Sequence, residues 1–159
     1  METVTQLLTD NLNVDRFRNG DLIPEARTDK EWIKAGKNKQ PAWCYYNNDP
    51  TNGEKYGKLY NWYAVNDPRG LAPEGCYIPT KEEMQALKKE FNSGLTGGLR
   101  SDDGFFCTLA YYGYWWSSTE VGTTNAWYAG IGYGSSGSYL TGDNKEYGFS
   151  VRCVKEEDF

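Results

Sequence analysis

Residues 127–134 read WYAGIGYG, and this alternation constrains the chain more than any other stretch. The odd positions hold Trp127, Ala129, Ile131 and Tyr133, while the even ones hold Tyr128, Gly130, Gly132 and Gly134. Successive side chains of a β-strand point to opposite faces, so bulkier residues share one face and mostly glycines the other. Glycine weakens a strand, because it loses the most backbone entropy and offers nothing to pack. Three glycines on one face therefore need a reason other than stability, and that face reads as a binding surface. The flanks WWSSTE and GFSVRCV are strand-like, and between them lies a run of Gly, Ser, Tyr and Thr. Residues 134–137, GSSG, read as the hairpin turn within it.

The composition narrows the function classes. The 159 residues fit one domain spanning 1–159, long enough to build a core without disulfides or metals. Thirteen Tyr, six Trp and six Phe supply large buried areas, and eighteen Gly favour many turns and short strands. A net charge of −5 offers no basic stripe for nucleic acid. The lack of histidine removes the commonest general base and metal ligand, so no catalytic residues, metal or cofactor are expected. No apolar run reaches membrane-spanning length, and no signal-peptide core follows Met1, so direct membrane insertion is not expected. Cys44, Cys76, Cys107 and Cys153 are widely spaced with no CxxC pair, which disfavours zinc. They read either as four buried thiols or as including one long-range disulfide, Cys44 to Cys153.

Taken in order, residues 3–17 suggest an extended piece pairing with the C-terminal strand, and RNGD at 18–21 a turn. Thr28 and Glu31 match a capping box, predicting a helix over 29–35 with Gly36 as left-handed cap and Trp32 and Ile33 facing the core. Residues 41–49 read as a strand or buried extended segment, and 49–53 as a turn. In 56–65 neither period dominates. A second box, Thr80 with Glu83, predicts a helix to about residue 92 that buries Met84, Leu87 and Phe91. Residues 95–104 read as a loop. Two short helices followed by a strand-rich C-terminal third indicate an α+β fold. Asn47, Asn48 and Asp49, or Asp143 and Asn144, offer oxygen ligands of the calcium type, but polar turns are usually only turns.

PAWCYYNNDP, YGKLYNWYAV, LAPEG, IPT, YYGYWWSSTE, NAW and GFSVRCV resemble, in this order, the Fibrobacter succinogenes major paralogous domain family over about residues 11–154. The resemblance implies a C-type lectin-like fold, akin to formylglycine-generating enzymes, whose termini pair and whose C-terminal strands display a ligand-binding face. Those enzymes need paired reactive cysteines or an equivalent metal site, whereas Cys153 stands alone in VRC, so enzyme activity is not expected. The family usually carries Trp or a similar residue where Cys76 sits, and a longer glycine-rich segment where residues 105–111 are compressed here.

Some members resemble the variable proteins of diversity-generating retroelements in gut bacteria and their phages. Such systems alter template adenines, mostly in Asn codons, and so randomise chosen positions near the C-terminus. The matching positions, within a variable region of about 111–147, are Tyr128, Gly130, Gly132, Gly134, Ser135, Gly137, Tyr139, Thr141, Gly142, Asp143, Asn144 and Tyr147. All twelve are reachable from an Asn codon by adenine changes alone, as are Val121, Gly122, Thr123 and Thr124. Tyr, Ser and Gly are also what antibody paratopes favour. The expectation is a ligand-binding protein with Tyr128, Tyr139 and Tyr147 as anchors around a shallow pocket. Trp115, Trp116, Trp127, Phe149 and Arg152 would serve as scaffold. Its partner would be a protein or glycan on a cell surface, met from a cell surface or a phage virion. The alternative is a fixed-surface adhesin or carbohydrate-binding module.

Overall fold

A computed structural model describes residues 6–134 and 137–156, and the chain is α+β. After β1 (Gln6–Leu7), the turn at 18–21 closes with Gly20 at φ +96°. Helix α1 (Asp29–Lys37) starts where predicted. The Thr28 hydroxyl accepts from the Glu31 amide at 3.1 Å, and the Glu31 carboxylate accepts from the Thr28 amide at 3.3 Å. The helix continues past Ala35, and Gly36 lies inside it rather than capping it. A Cβ at Gly36 would lie 2.9 Å from Cγ of Glu146, so glycine there admits a neighbouring side chain. The left-handed residue after the helix is Lys39, at φ 54°. Trp32 is buried and Ile33 half-buried.

Strand β2 (Trp43–Cys44) leads into a 3-10 turn, Tyr46–Asn48. Residues 49–53 are not a simple turn: they open helix α2 (Pro50–Tyr56). Asp49 accepts from the Thr51 amide at 3.0 Å, and Pro50 occupies the first helical position, where its missing N–H costs nothing. Gly53, a helix breaker by propensity, is needed because the Tyr45 ring lies where its Cβ would be. Strand β3 (Leu59–Tyr60) pairs antiparallel with β2, and helix α3 (Trp62–Val65) follows at once. Asn61 fixes this junction from a fully buried position. Its side-chain oxygen accepts from Ala42 and Ala64, both at 3.1 Å, and its amide donates to the Gln40 carbonyl at 2.8 Å.

After β4 (Cys76–Tyr77), the second capping box starts helix α4 (Lys81–Ala86). The regular helix ends at Ala86, short of the predicted residue 92, and the chain tightens into a 3-10 turn, Glu90–Ser93. Leu87 and Phe91 still reach the core, with Phe91 5.3 Å from the Trp115 ring. The predicted loop at 95–104 contains β5 (Leu99–Arg100), which pairs with β6 (Phe106–Cys107). Arg100 is fully buried, donating to the carbonyls of Ala26 at 2.7 Å and Gly104 at 3.1 Å between the Trp32 and Phe106 rings.

The long strands come last. β7 (Tyr112–Glu120), β8 (Asn125–Gly132) and β9 (Tyr139–Asn144) form an antiparallel sheet in that order. β10 (Val154–Lys155) lies between β1 and β4, so the terminal segments pair as the sequence suggests, Leu7 opposite Val154. Both faces of the large sheet are used. One packs Trp115, Ala129, Ile131 and Leu140 against Met84, Leu87 and Phe91. The other packs Trp116, Ala126 and Tyr128 against Tyr60, Trp62 and Phe149.

All four cysteines are free thiols, and the Cys44–Cys153 disulfide is not formed. Cys44 belongs to the cluster around Trp32 and Leu59, whereas Cys153 belongs to the one around Phe149. Burial pushes both thiols up to about 12.

Asn61→Ala leaves the buried Ala42 amide without its acceptor and removes the side-chain cap of α3, while the Ala64 amide keeps the Asn61 backbone carbonyl at 3.2 Å. An orphaned buried amide costs about 1–3 kcal/mol and a lost cap about 1 kcal/mol, so a loss of roughly 2–4 kcal/mol is expected in urea unfolding, with an unchanged m-value.

Candidate functional site

The register of the large sheet decides which predicted residues share a face. Tyr112 lies opposite Gly132, Tyr114 opposite Gly130 and Trp116 opposite Tyr128; on the other side, Gly130 faces Tyr139, Tyr128 faces Thr141 and Ala126 faces Asp143. Directly opposed residues point the same way. Tyr112, Tyr114, Tyr128, Gly130, Gly132, Tyr139, Thr141 and Asp143 therefore form one face.

The glycines of this face are not a bare floor. A Cβ at Gly132 would lie 2.6 Å from Cε1 of Tyr112, and one at Gly130 would lie 2.5 Å from the Tyr139 hydroxyl oxygen. Rings from both outer strands thus lie over β8, and glycine is what lets them in. The predicted shallow pocket is instead a surface paved with tyrosine. Tyr112 is 40% exposed and Tyr139 39%; Tyr111 at 61% and Tyr133 at 81% lie just beyond the strand ends, in the alternation opposite to Tyr112 and Gly132. The Tyr133 amide donates to the Tyr111 carbonyl at 2.8 Å, and their rings meet edge to face at 6.0 Å. Thr108 and Ala110, which lead into Tyr111, both adopt φ 71°. Such backbone costs about 1–3 kcal/mol per residue and tends to collect at binding sites.

Several expectations need correction. Tyr128 is only 7% exposed and belongs to the core, because its ring packs 4.7 Å from Phe149 and 5.9 Å from Tyr114. Gly142 and Asn144 sit on the opposite face, paired with Trp127 and Asn125. A Cβ at Gly142 would meet Val121, and the Asn144 side chain accepts from the Glu146 amide at 2.8 Å. Gly134, at φ +74°, and Gly137 flank the β8–β9 connection beyond the sheet. Ser135 lies outside the described residues. Residues 121–124 join β7 to β8 at the far end, where Thr123 and Thr124 line a cavity of about 310 Å³ with Lys37, Tyr63 and Asn144. Tyr147 stays with the face, its ring 6.0 Å from Phe149 and perpendicular to it. Of the scaffold residues, Trp115, Trp116, Phe149 and Arg152 are buried, whereas Trp127 is half-buried under Lys81, 3.9 Å from its ring.

Sequence reasoning missed Tyr112 and Tyr114. The signal was the alternation in YGYWW, at positions 112, 114 and 116, one strand earlier than the glycine pattern. The oxygen-rich turns are occupied structurally: Asp49 caps α2, and the Asp143 carboxylate accepts from the Asn144 amide at 2.7 Å. Among the described residues no cluster of three His, Cys, Asp or Glu side chains is arranged to hold a metal, and no helix is long and apolar enough to cross a membrane.

Asp143 is the electrostatic feature of the face. Desolvation raises its pKa above the usual carboxylate value, and the charge of Asp102 adds to this. A raised folded-state value means the ionised form is less favourable in the folded protein than in the unfolded chain. Stability is therefore gained as pH falls through that value and lost above it. Asp143→Asn should melt higher than the parent at neutral pH, with the difference shrinking on acidification; a Tm difference that grows towards acid would contradict this.

Comparison with known proteins adds one positive match. The model of the Fibrobacter succinogenes major domain matches residues 7–93, more than half of the chain. PAWCYYNNDP, YGKLYNWYAV, LAPEG and IPT lie within that span, while YYGYWWSSTE, NAW, GFSVRCV and the tyrosine face lie beyond it. No curated protein and no solved structure matches. On this match the chain belongs to the Fibrobacter succinogenes major domain family.

Proposed function

We infer that the protein is a non-catalytic recognition module that binds a protein or glycan ligand on a cell surface through the tyrosine face of β7, β8 and β9. The observation carrying this reading is the exposure of Tyr112 and Tyr139 on one face of the sheet, which they share with Tyr114, Thr141 and Asp143. Tyrosine gives large contact area with few rotatable bonds, so exposed rings lose little entropy on binding. Buried Trp116 and Phe149 hold the opposite end of the same face, leaving the outer rings free to serve contact rather than stability.

The reading extends to architecture and origin. Paired terminal strands, short helices and a C-terminal antiparallel sheet suit a C-type lectin-like domain. Tyr111, Tyr112, Tyr133, Tyr139, Thr141 and Asp143 are also all residues that adenine changes in an Asn codon can produce. This supports origin as one variant from a diversity-generating retroelement, displayed by a gut bacterium or its phage. Fold alone does not dictate this role, which rests on the composition of the face.

Screening the protein against a glycan array and a displayed random-peptide library, beside Tyr112→Ser/Tyr139→Ser, tests the reading. Ligands of the parent should lose at least about ten-fold in affinity with the double variant, as expected for aromatic anchors. Ligands that bind both proteins alike would place recognition elsewhere. A reverse transcriptase gene flanking this one, beside a near-copy of its 3′ region mismatched only at adenines, would support the origin; its absence would leave a fixed-surface binder.

A further inference from the structure

Building on the recognition face, we propose that it takes its partner through a cationic side chain, a Lys or Arg presented by a protein surface to the tyrosine rings beside Asp143. Elsewhere in the molecule, many aromatic rings carry a cation of the chain's own. Lys58 lies 4.6 Å from the Trp43 ring, Lys145 4.7 Å from Trp62, Arg69 4.3 Å from Phe17, and Arg152 5.2 Å from Phe91. Trp127 has Lys81, and Trp32 and Phe106 share Arg100. Among the described residues, no Lys or Arg lies over the rings of Tyr111, Tyr112, Tyr114, Tyr128, Tyr133, Tyr139 or Tyr147. Other rings without one, such as Trp116, Phe149 and Tyr60, are fully buried, whereas Tyr112 and Tyr139 are open to a partner.

The charges around it have one sign. Asp143 acts on Tyr128, and Asp143, Asp102 and Asp103 all act on Tyr147. None of these three carboxylates belongs to an ion pair of the described residues, whereas Glu120, Glu25, Asp21, Asp29 and Asp67 all do. A half-buried carboxylate without a counter-ion, near the half-buried Tyr147 ring and on the same face as exposed Tyr112 and Tyr139, is what an incoming ammonium or guanidinium requires. The ring faces attract the cation through their quadrupoles, and the carboxylate supplies a charge-assisted hydrogen bond. Burying such a carboxylate under a neutral partner would leave its charge uncompensated, so the same feature selects against neutral surfaces. The exposed rings of Tyr112 and Tyr139, the latter four residues along β9 from Asp143 on the same face, carry the face well past one side-chain site, which suits a protein surface better than a free small cation.

The test is a titration of the described protein with an amidated hexaarginine peptide, read on the tyrosine ring signals by NMR. A hexaserine peptide serves as neutral control and tetramethylammonium as small-cation control. The expected result is movement of the Tyr112, Tyr139 and Tyr147 signals, with affinity falling as salt rises. Binding should weaken about ten-fold in Asp143→Asn and stay unchanged in Glu54→Gln, an exposed acid on α2. Equal weakening by both substitutions, or shifts scattered away from these rings, would mean adventitious polycation binding and would overturn the proposal. So would tetramethylammonium binding as tightly as the peptide. If hexaserine, or neutral peptides selected from the library, occupy the same rings regardless of Asp143→Asn, the cationic ligand class falls and the recognition face survives. If the library ligands ignore Tyr112→Ser/Tyr139→Ser, the face itself falls.

Discussion

Phe149 is the point on which the structure turns. Its ring lies 4.3 Å from Trp116, 4.7 Å from Tyr128 and 5.1 Å from Tyr114, with Tyr147 perpendicular at 6.0 Å. Its backbone exchanges two hydrogen bonds with Tyr60, at 2.9 and 3.1 Å. The aromatic half of this contact holds the C-terminal sheet, and the backbone half ties it to the part of the chain that carries α1 to α3. The same ring that stabilises the core thus anchors the inner end of the exposed tyrosine row.

Around that centre the chain is mostly irregular, and short strands cannot satisfy its backbone alone. Buried polar side chains do so instead. Asn11 donates to the carbonyls of Tyr56 and Leu95 while accepting from the Trp115 indole at 2.8 Å. Arg152 donates to the carbonyls of Leu8 and Glu90, and Arg100 to those of Ala26 and Gly104. Buried carbonyls must find donors, and a guanidinium surrounded by carbonyls and rings gives several at once. A fold held in this way keeps its loops in place without long helices, and it leaves the Tyr112 and Tyr139 end of one sheet face partly exposed.

That exposure has a cost that the structure leaves visible. Thr108 and Ala110 hold left-handed backbone beside Tyr111, and Asp143 stays ionisable without a counter-ion. Strain and uncompensated charge of this kind are what the proposed recognition role would account for.

By itself the sequence determined the local features whose causes are local. Both capping boxes place helix starts at Asp29 and Lys81, because each needs only residues three apart. The turn at 18–21, the pairing of the terminal segments and the two-faced alternation of β8 were legible for the same reason. Helix α2 was not: its Asp49 cap and Pro50 start were present, but Gly53 argued for a turn until the Tyr45 ring was seen to require it. Nor could a loop-like segment at 95–104 announce that Arg100 would be the best-buried charge in it. The candidate site divides in the same way. The alternation of β8 marked its two faces as different, but only strand register put Tyr112 over Gly132 and Tyr139 over Gly130. Register also turned Gly142 and Asn144 to the opposite face, and packing on Phe149 drew Tyr128 into the core. Side-chain alternation is a property of one strand; which neighbour covers a glycine depends on how strands distant in sequence align, and that alignment is set by the packing of the whole sheet.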